Sequence, residues 1–361
     1  MKKDKVILVT GGTGGHIIPA VALYEEMKKK NYNPFLVVDE RFLQFTKYFD
    51  KNLKYKVIAS DRFSGSIVQK LLGIFKLYFG FLQAIILIIK EKPKLLIGFG
   101  GYTTFPTLMA AKFLRKPVLI HEQNSVLGNA NKILANGIAD LALTAFPEVK
   151  NLSKKTKVKY VGNFVRKNIR ECKTSLPKIN DGVITFTVLG GSQGASILSD
   201  VVPEALLEFS KMSKFKIRVF HQARSTDLEK VASFYRLNKI ECEVKEFFDD
   251  VADKILKSNL VISRSGASTI TDLTFLGRTA ILVPIPDSFK NHQLLNSRFL
   301  ESNKAAWVIE QKNFNVKSLA NCLNKIFKDK KLLENYSSNI LKLKKNGFDS
   351  IFSIIKNYCA N

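Results

Sequence analysis

The feature that most constrains the fold is a glycine-rich turn between a short apolar strand and a helix, in "VILVTGGTGGHIIPAVAL" at residues 6–23. The aliphatic run ends at the glycines of "GGTGG", and the pattern of a helix starts directly after them. Glycine lets a backbone approach an anionic group closely, and the N-terminus of the following helix stabilises negative charge. The stretch therefore predicts a phosphate-binding turn in an open α/β fold.

Strand and helix patterns alternate in two series along the 361 residues. The first contains apolar runs such as "KVILVT" and "KPVLIH", and the second opens at "GVITFTVLG" and continues through "NLVISR" and "TAILVP". Such alternation predicts parallel sheets with right-handed crossovers, and the length exceeds what one core usually fills. We expect two doubly wound α/β domains, an N-terminal one at residues 1–163 and a C-terminal one at residues 164–361. The helical tail could pack across either domain, and we expect its last helix to pack back on the N-terminal one.

The formal net charge of +26 predicts anionic partners, which include nucleic acid, phosphorylated metabolites and acidic lipid. Nucleic acid is disfavoured because the lysines are spread along the chain without an arginine-rich block or zinc-finger spacing. Biased codon usage is an open alternative for part of this lysine excess.

The four cysteines form no CxxC pair, which argues against a zinc site or a disulfide framework. The apolar run at the N-terminus is too short for a signal peptide, so we expect no export.

One apolar segment, Leu71–Ile89, approaches the ~20 residues that a membrane-spanning helix needs. A crossover helix is favoured because Lys76 and Gln83 interrupt the run and "EKPKLLIGFGG" follows at once as a core strand. The aromatic residues Phe75, Tyr78, Phe79 and Phe81 leave a third interpretation, in which the outer face lies on a bilayer surface.

The nucleotide-binding motifs near the N-terminus are incomplete. GxGxxG fails because Ile17 stands where a glycine is expected, and no GK[ST] follows for a Walker loop. Asp39 stands roughly where a ribose-binding acid would be, which supports a nicotinamide enzyme only weakly. A second glycine-rich loop, "GGSQGAS" at residues 190–196, offers the same phosphate-binding geometry in the second series.

Several polar loops each follow a predicted strand, and therefore lie at the carboxyl edge of a sheet, where open α/β folds bind ligands. They are "FGGYTTFP" at 99–106, "HEQNSVLGNANK" at 121–132, "SRSGASTITDL" at 263–273 and "NHQLLNS" at 291–297. In the third loop, Ser265, Ser268 and Thr269 are candidates to cap the helix that follows. His16 is either a satisfied polar residue or a base for a sugar hydroxyl, and its position after the glycine loop favours the second role.

Taken in order, these motifs resemble the MurG family of bacterial glycosyltransferases. They are "GGTGGH" (11–16), "GGYxxxP" (100–106), "HEQN" (121–124), "GNxVR" (162–166), "GGSQGA" (190–195), "RSGAxT" (264–269) and "HQxxN" (292–296). The resemblance covers roughly residues 5–345. It implies the GT-B fold of glycosyltransferase family 28, with two Rossmann-like domains facing across a cleft. The N-terminal domain is then the acceptor-binding, membrane-associating one, and the C-terminal domain is the donor-binding one. It also implies inverting transfer of GlcNAc from UDP-GlcNAc to the 4-hydroxyl of MurNAc in lipid I, which gives lipid II for peptidoglycan synthesis.

The resemblance also implies site residues. His16 is the candidate catalytic base. The residues expected to bind UDP-GlcNAc are Thr13, Gly14, Gly15, Asn124, Arg166, Ser192, Phe248, Ala267, Ser268, Thr269, Asp272 and Gln293. The residues expected to bind the acceptor are Gly12, Tyr102, Thr103, Thr104, His121, Glu122 and Gln123. Two positions depart from the family: Asp272 replaces a usual glutamate, and Thr104-Phe105 replaces a serine and a small residue.

No DxD motif is present, because "FDDVAD" lacks the spacing, so no metal cofactor is required and Mg²⁺ remains an optional stimulant. The expected partners are UDP-GlcNAc, lipid I, an anionic membrane surface and enzymes of cell-wall synthesis, with no nucleic acid. The expected location is peripheral, on the cytoplasmic side of the plasma membrane. The alternatives are a GT-B enzyme with another lipid acceptor, such as diacylglycerol, and a nicotinamide-binding Rossmann protein.

Overall fold

The structure is a computed structural model that describes residues 4–50, 52–61, 66–179, 182–191, 194–286 and 288–360. The chain forms two compact units. The first unit comprises residues 1–166 and 345–361, and the second comprises residues 167–344.

Each unit contains one sheet in which every described strand pair is parallel. The strands of the first unit are β1 Lys5–Val9, β2 Asn33–Val38, β3 Tyr55–Val57, β4 Leu95–Gly98, β5 Val118–Glu122, β6 Leu141–Thr144 and β7 Val158–Tyr160. Those of the second unit are β8 Val183–Leu189, β9 Lys216–Gln222, β10 Glu241–Lys245, β11 Leu260–Ser263, β12 Ala280–Leu282 and β13 Trp307–Val308. The sheet orders are β3-β2-β1-β4-β5-β6-β7 and β10-β9-β8-β11-β12-β13.

Helices connect the strands and cover both sheets. The α-helices are α1 Gly14–Lys29, α2 Ile67–Glu91, α3 Thr104–Phe113, α4 Asn129–Ala135, α5 Lys167–Arg170, α6 Ser196–Met212, α7 Leu228–Leu237, α8 Val251–Lys257, α9 Ala267–Leu276, α10 His292–Ser302, α11 Val316–Lys328, α12 Lys330–Lys342 and α13 Phe348–Ala360. The prediction of two parallel α/β sheets is confirmed. The short strand β7 was not predicted, since two of its three residues are exposed and it lacks an apolar run.

The first sheet is buried on both faces because its strands alternate between two cores. Val6 and Leu8 of β1 pack in a cluster with α1 and α13, whereas Ile7 and Val9 pack with α2, α3 and α4 on the opposite face. Because both faces of such a strand are buried, its sequence is a continuous run of apolar residues. In the second unit, Phe186 of β8 packs against α6 and α11 in a single large cluster.

Helix α2 corresponds to the apolar segment of residues 71–89. It begins with a capping box formed by Ser66 and Gln69, and one face packs on the first unit through the buried side chains of Ala84 and Ile88. A side chain on Gly80 would collide with the carbonyl oxygen of Ala59, while Gln83 Oε1 accepts a hydrogen bond from Ala59 N at 2.9 Å. The helix therefore serves as a crossover from β3 to β4, as predicted.

The opposite face of α2 is apolar and exposed. Its exposed side chains are those of Val68, Leu71, Leu72, Ile74, Phe75, Tyr78, Phe79, Leu82, Ile86 and Ile89. The stretch Leu71–Glu91 is long and apolar enough to cross a membrane by length and composition, and only 22% of its most apolar window is buried. We call these ten side chains the α2 apolar face.

The C-terminal segment returns to the first unit. Ile351, Ile354 and Ile355 of α13 are buried in the same cluster as α1. The turn before α13 is held where Asn163 O accepts from Gly347 N at 3.0 Å. Gly162, with φ +89°, leaves no room for a side chain beside the carbonyl oxygen of Lys345. The segment before α13 therefore packs against the residues that follow β7.

Candidate functional site

The glycine-rich loop between β1 and α1 is packed tightly against two neighbouring loops at the carboxyl edge of the first sheet. A β-carbon on Gly11 would lie 2.6 Å from Asp39 Oδ2 and 2.7 Å from Thr103 Oγ1. A β-carbon on Gly101, which has φ +91°, would lie 2.6 Å from the carbonyl oxygen of Gly11. Glycine at these positions is what allows the loops after β1, β2 and β4 to converge.

His16 lies in the first turn of α1 and is half-buried. Its imidazole packs against Gly100, where an added β-carbon would lie 2.9 Å from Nε2. Thr13, at the N-cap of α1, is exposed and uses no side-chain capping bond. Since the first-turn amides of a helix have no acceptor within the helix, this end offers donors to an anion. The candidate base and the anion-binding turn therefore lie side by side.

Asp39 does not present a free carboxylate at this edge. Its Oδ2 accepts hydrogen bonds from Gly12 N and from Arg41 Nε, both at 3.0 Å, and also from Arg41 Nη2. Asp39 is 4% exposed. A carboxylate engaged in this way orients the glycine loop and is unavailable to both hydroxyls of a ribose, so the nicotinamide alternative loses its main support.

The polar run that ends β5 is buried. His121 Nε2 donates to the carbonyl oxygen of Gly162 at 3.0 Å, and its Nδ1 accepts from Gln123 Nε2 at 3.3 Å. Gln123 Nε2 also donates to Phe99 O at 2.8 Å. Burial lowers the pKa of His121 to about 4, so this imidazole is neutral at pH 7.

Glu122 organises the start of the following loop. Its Oε1 accepts from the backbone and side-chain nitrogens of Asn124 at 3.1 and 3.2 Å. Its Oε2 accepts from Gly128 N and from Asn131 Nδ2, both at 3.0 Å. His121, Glu122 and Gln123 were expected to touch the acceptor, but their side chains point into this buried network, which fixes the half-buried Asn124.

The loop after β4 likewise contains both buried side chains and one exposed side chain among the expected acceptor contacts. Thr103 and Thr104 are fully buried; Thr103 Oγ1 lies 3.1 Å from Ser60 Oγ, and Thr104 Oγ1 donates to Gly100 O at 2.7 Å. Tyr102 is 37% exposed, and the Arg41 guanidinium lies 5.6 Å from its ring centroid. Of these three expected acceptor contacts, Tyr102 faces solvent, and the two threonines brace the loop.

In the second unit, the loop between β8 and α6 carries the second glycine cluster. Gly191 and Gly194 have φ +79° and +66°, conformations that favour glycine. Ser192, expected to contact the donor, lies outside the residues that the structure describes. Helix α6 begins shortly after, at Ser196, so its N-terminus follows the loop.

Helix α9 begins directly after β11. Its N-cap is Gly266 and no side chain caps it, so the capping expected from Ser265, Ser268 and Thr269 is wrong. Ser265 Oγ instead donates to Gln293 O at 2.8 Å and ties β11 to the start of α10. Ala267, Ser268 and Thr269 form the first turn of α9, and the half-buried Asp272 lies in its second turn.

Gln293 and Phe248, both expected to contact the donor, are buried. Gln293 is 9% exposed, and its Oε1 accepts from Ile285 N at 3.1 Å. Phe248 is buried, and Lys254 Nζ lies 5.8 Å from its ring centroid. Lys254 also pairs with Glu243 at 2.5 Å, so a cation anchored by a carboxylate supports this aromatic ring.

Arg166, the last residue of the first unit's main segment, is half-buried.

Sequence reasoning missed Arg41 and Lys254. Both are cations with an acidic partner and an aromatic neighbour next to an expected ligand loop. The "DER" triplet at 39–41 contains a signal for the first, since an acid and an arginine two residues apart follow a buried strand. Among the described residues, no group of three or more His, Cys, Asp or Glu side chains is placed to hold a metal ion.

Comparisons with known proteins identify the family of this chain. The family model for the glycosyltransferase family 28 N-terminal domain matches residues 6–142, and the model for the glycosyltransferase family 28 C-terminal domain matches residues 185–352. A protein of Rickettsia canadensis (strain McKiel) is 38% identical over 357 residues, which cover 98% of this chain and 99% of that protein. A protein of Rickettsia prowazekii (strain Madrid E) is 37% identical, with 98% of each chain covered. Both are named UDP-N-acetylglucosamine--N-acetylmuramyl-(pentapeptide) pyrophosphoryl-undecaprenol N-acetylglucosamine transferase.

Solved structures are similar over nearly the whole length. Acinetobacter baumannii MurG matches with a TM-score of 0.80 at 24% identity, covering 99% of this chain and 100% of that chain. The kitacinnamycin glycosyltransferase matches with a TM-score of 0.72 at 12% identity and the same coverage. At these identities the likeness concerns the fold alone, and it confirms the predicted GT-B fold class.

Proposed function

The chain belongs to glycosyltransferase family 28, and from this premise we propose that it transfers GlcNAc from UDP-GlcNAc to lipid I, giving lipid II for peptidoglycan synthesis. Lipid I is undecaprenyl-pyrophosphoryl-MurNAc-pentapeptide, the acceptor class that the relatives' shared name specifies. The observation that carries the proposal is the identity to those relatives over nearly the whole of both chains. The reaction places the enzyme in cell-wall biogenesis, and through it in cell shape and division.

The proposed reaction is a single displacement with inversion. The 4-hydroxyl of MurNAc attacks the anomeric carbon of GlcNAc, the bond to UDP breaks, and the hydroxyl proton passes to a base. His16 is the candidate base, since a histidine has a pKa suited to proton transfer near neutral pH and this one stands beside the anion-binding turn. Its contact with Gly100 fixes the ring in that position.

The second unit is proposed to bind UDP-GlcNAc. The first turn of α9 offers backbone amides and the hydroxyls of Ser268 and Thr269, and Asp272 is proposed to accept the ribose hydroxyls. Gln293 keeps its amide N–H groups for sugar hydroxyls, since its Oε1 is already bonded to Ile285 N. The backbone of Phe248 is proposed to meet the uracil, and Ser192 the diphosphate. Arg166, the last residue of the first unit's main segment, is proposed to contact the diphosphate as well. Preorganised donors of this kind stabilise the charge that develops on UDP.

The first unit is proposed to bind the acceptor. Gly12, Thr13, Gly14 and Gly15 supply the turn that approaches its pyrophosphate and the transferred sugar. Asn124, held by both bonds to Glu122, is the polar group of the "HEQN" run proposed to contact the sugars. The buried His121, Glu122, Gln123, Thr103 and Thr104 act in this proposal by holding the two loops.

We further propose that the first unit docks on an anionic membrane surface, on the cytoplasmic side of the plasma membrane. The α2 apolar face supplies aromatic and aliphatic side chains for the interface. Phe113 of α3, also exposed, packs edge-on against Phe81 of α2 at 6.2 Å between ring centroids. The adjacent Lys112 lines a cavity of about 880 Å³ with Arg115, Lys116, Lys155 and Lys157. Apolar side chains beside a cluster of cations are typical of proteins that bind acidic bilayers.

The test is transfer of labelled GlcNAc from UDP-GlcNAc to a lipid I analogue, with the native chain compared with His16→Ala. We expect transfer by the native chain and a loss of about 10²- to 10⁴-fold in kcat in the variant, with UDP affinity retained. Persistence of transfer in the variant would keep the reaction and remove His16 as the base. A native chain that binds UDP but does not transfer to the analogue would refute the proposed acceptor.

A further inference from the structure

Arg41 follows β2 and reaches across the carboxyl edge of the first sheet to the glycine-rich loop. A β-carbon on Gly12 would lie 3.6 Å from both Nη1 and Nη2 of this guanidinium. The same group lies 5.6 Å from the ring centroid of Tyr102, in the loop after β4. Arg41 therefore joins the two loops that the proposed function assigns to the acceptor.

Hydrogen bonds from one edge of the guanidinium to Asp39 set the orientation of the Arg41 side chain. Nε and Nη2 donate to Asp39 Oδ2, and Asp39 is held in turn by Gly12 N. Nη1 donates to none of the described residues, and the side chain is 34% exposed. Guanidinium is a planar fork with donors on more than one edge, so it binds a carboxylate on one side and a phosphate on another.

A purely structural role fits these observations less well. An arginine that serves only to hold its neighbours is expected to spend its donors on protein acceptors, as Arg278 does in the second unit. Arg278 donates through Nε to Ser258 O at 2.9 Å and through Nη2 to Leu256 O at 2.6 Å, and it is 3% exposed. In Arg41, by contrast, Nη1 has no acceptor among the described residues, and the partly exposed side chain lies beside the N-terminus of α1, where the backbone already favours an anion.

We propose that Arg41 binds the pyrophosphate of the acceptor lipid and is a specificity-determining residue for pyrophosphate-linked acceptors. The inference rests on the proposed function and deepens it: Asp39 is the positioning residue that aims the guanidinium, and Tyr102 supports its face. The glycine loop supplies backbone donors and Arg41 supplies the full positive charge that the loop lacks. The donor diphosphate, which the proposed function assigns to Ser192 and Arg166, does not use Arg41 in this proposal.

The experiment measures KM for a short-chain, pyrophosphate-linked lipid I analogue and KM for UDP-GlcNAc, in the native chain, Arg41→Ala and Arg41→Lys. Arg236→Ala is the matched control, since it removes an arginine that pairs with Glu229 on the exposed face of helix α7, where the two side chains are 63% and 81% exposed. We expect the acceptor KM to rise at least about tenfold in Arg41→Ala and less in Arg41→Lys, which keeps the charge without the fork. The KM for UDP-GlcNAc is expected to stay within about twofold, and the control to match the native chain in both constants.

A second readout isolates the pyrophosphate. A short prenyl pyrophosphate, which lacks sugar and peptide, is expected to compete with the acceptor, and its Ki is expected to rise in Arg41→Ala by the same factor as the acceptor KM. An unchanged acceptor KM, or equal rises in both KM values, would overturn the assignment while leaving the transferase activity standing. If the native chain transfers no GlcNAc to the analogue, the proposed function fails and the assignment of Arg41 falls with it.

Discussion

The imidazole of His16 rests against the α-carbon of Gly100, so closely that a methyl group there would lie 2.8 Å from Cδ2 and 2.9 Å from Nε2. Gly100 has φ +95°, a conformation that L side chains rarely adopt. The imidazole ring, carried by the helix after β1, thus packs against the side-chain-free backbone of the loop after β4. The position of the candidate base therefore depends on a residue in the loop after β4.

Replacing Gly100 with alanine is expected to displace this ring. The new methyl group would push the imidazole away from the position in which it meets the acceptor hydroxyl, and misplacement by about 1 Å can lower kcat about 10²-fold. Gly182→Ala is the matched control, because Gly182 has φ +68° and nothing lies within 4 Å of its added β-carbon. Both variants carry backbone strain, so equal losses of kcat would mean that strain, and not the contact with His16, is responsible.

Glu122→Gln is expected to destabilise the first unit. The carboxylate accepts from four N–H groups of Asn124, Gly128 and Asn131, and the amide would turn one of its ends into a donor that faces donors. Such a mismatch in a buried site costs about 1–3 kcal/mol of unfolding free energy. Denaturant unfolding of this variant should be compared with that of Glu229→Gln, whose side chain is 81% exposed. An equal midpoint for the two variants would show that Glu122 does not hold the loop.

The sequence predicts those parts of the fold that depend on local patterns. Apolar runs locate most strands, and the glycine clusters locate both anion-binding turns, because a turn followed by a helix has the same local requirements wherever it occurs. Helix α13 begins at Phe348, directly after Asn346-Gly347. What the pattern leaves open is which unit α13 joins, since an amphipathic helix can cover either sheet.

The direction of polar side chains at the site is not readable from the sequence. A polar run after a buried strand looks the same whether its side chains face a ligand or one another, and "HEQ" at 121–123 does the latter. Arg41 shows the reverse case. Its proposed role rests on its position beside Gly12, 29 positions earlier in the chain, which no local pattern reveals.

The two buried histidines predict a pH dependence of stability. Burial lowers the pKa of His121 from 6.5 to about 4 and that of His221 from 6.5 to about 3. As the pH falls below 6.5, the unfolded chain takes up protons that the folded chain excludes, so the free energy of unfolding falls. The loss from His121 alone reaches about 3 kcal/mol at pH 4, and neither group contributes a pH dependence well above 6.5.

The measurement is an NMR titration of the histidine rings together with urea unfolding between pH 7 and pH 5. The ring signals of His121 and His221 should remain those of neutral imidazole down to about pH 5. In His121→Gln, which keeps an amide donor toward Gly162 O, the decrease in unfolding free energy with falling pH should be smaller. Titration of either ring near 6.5 would contradict the burial on which this prediction depends.

The α2 apolar face predicts a defined membrane phenotype. Phe75, Tyr78 and Phe79 are each more than half exposed, and serine at all three positions should lower binding to vesicles that contain anionic lipid by at least about tenfold. The matched control places serine at Leu176, Met212 and Leu237, which are exposed apolar residues of the second unit. The first variant should keep its transfer rate on a soluble acceptor analogue and lose it on vesicle-embedded lipid I. Unchanged vesicle binding in the folded variant would remove α2 from the docking surface, and equal losses in both variants would point to a general loss of surface hydrophobicity instead.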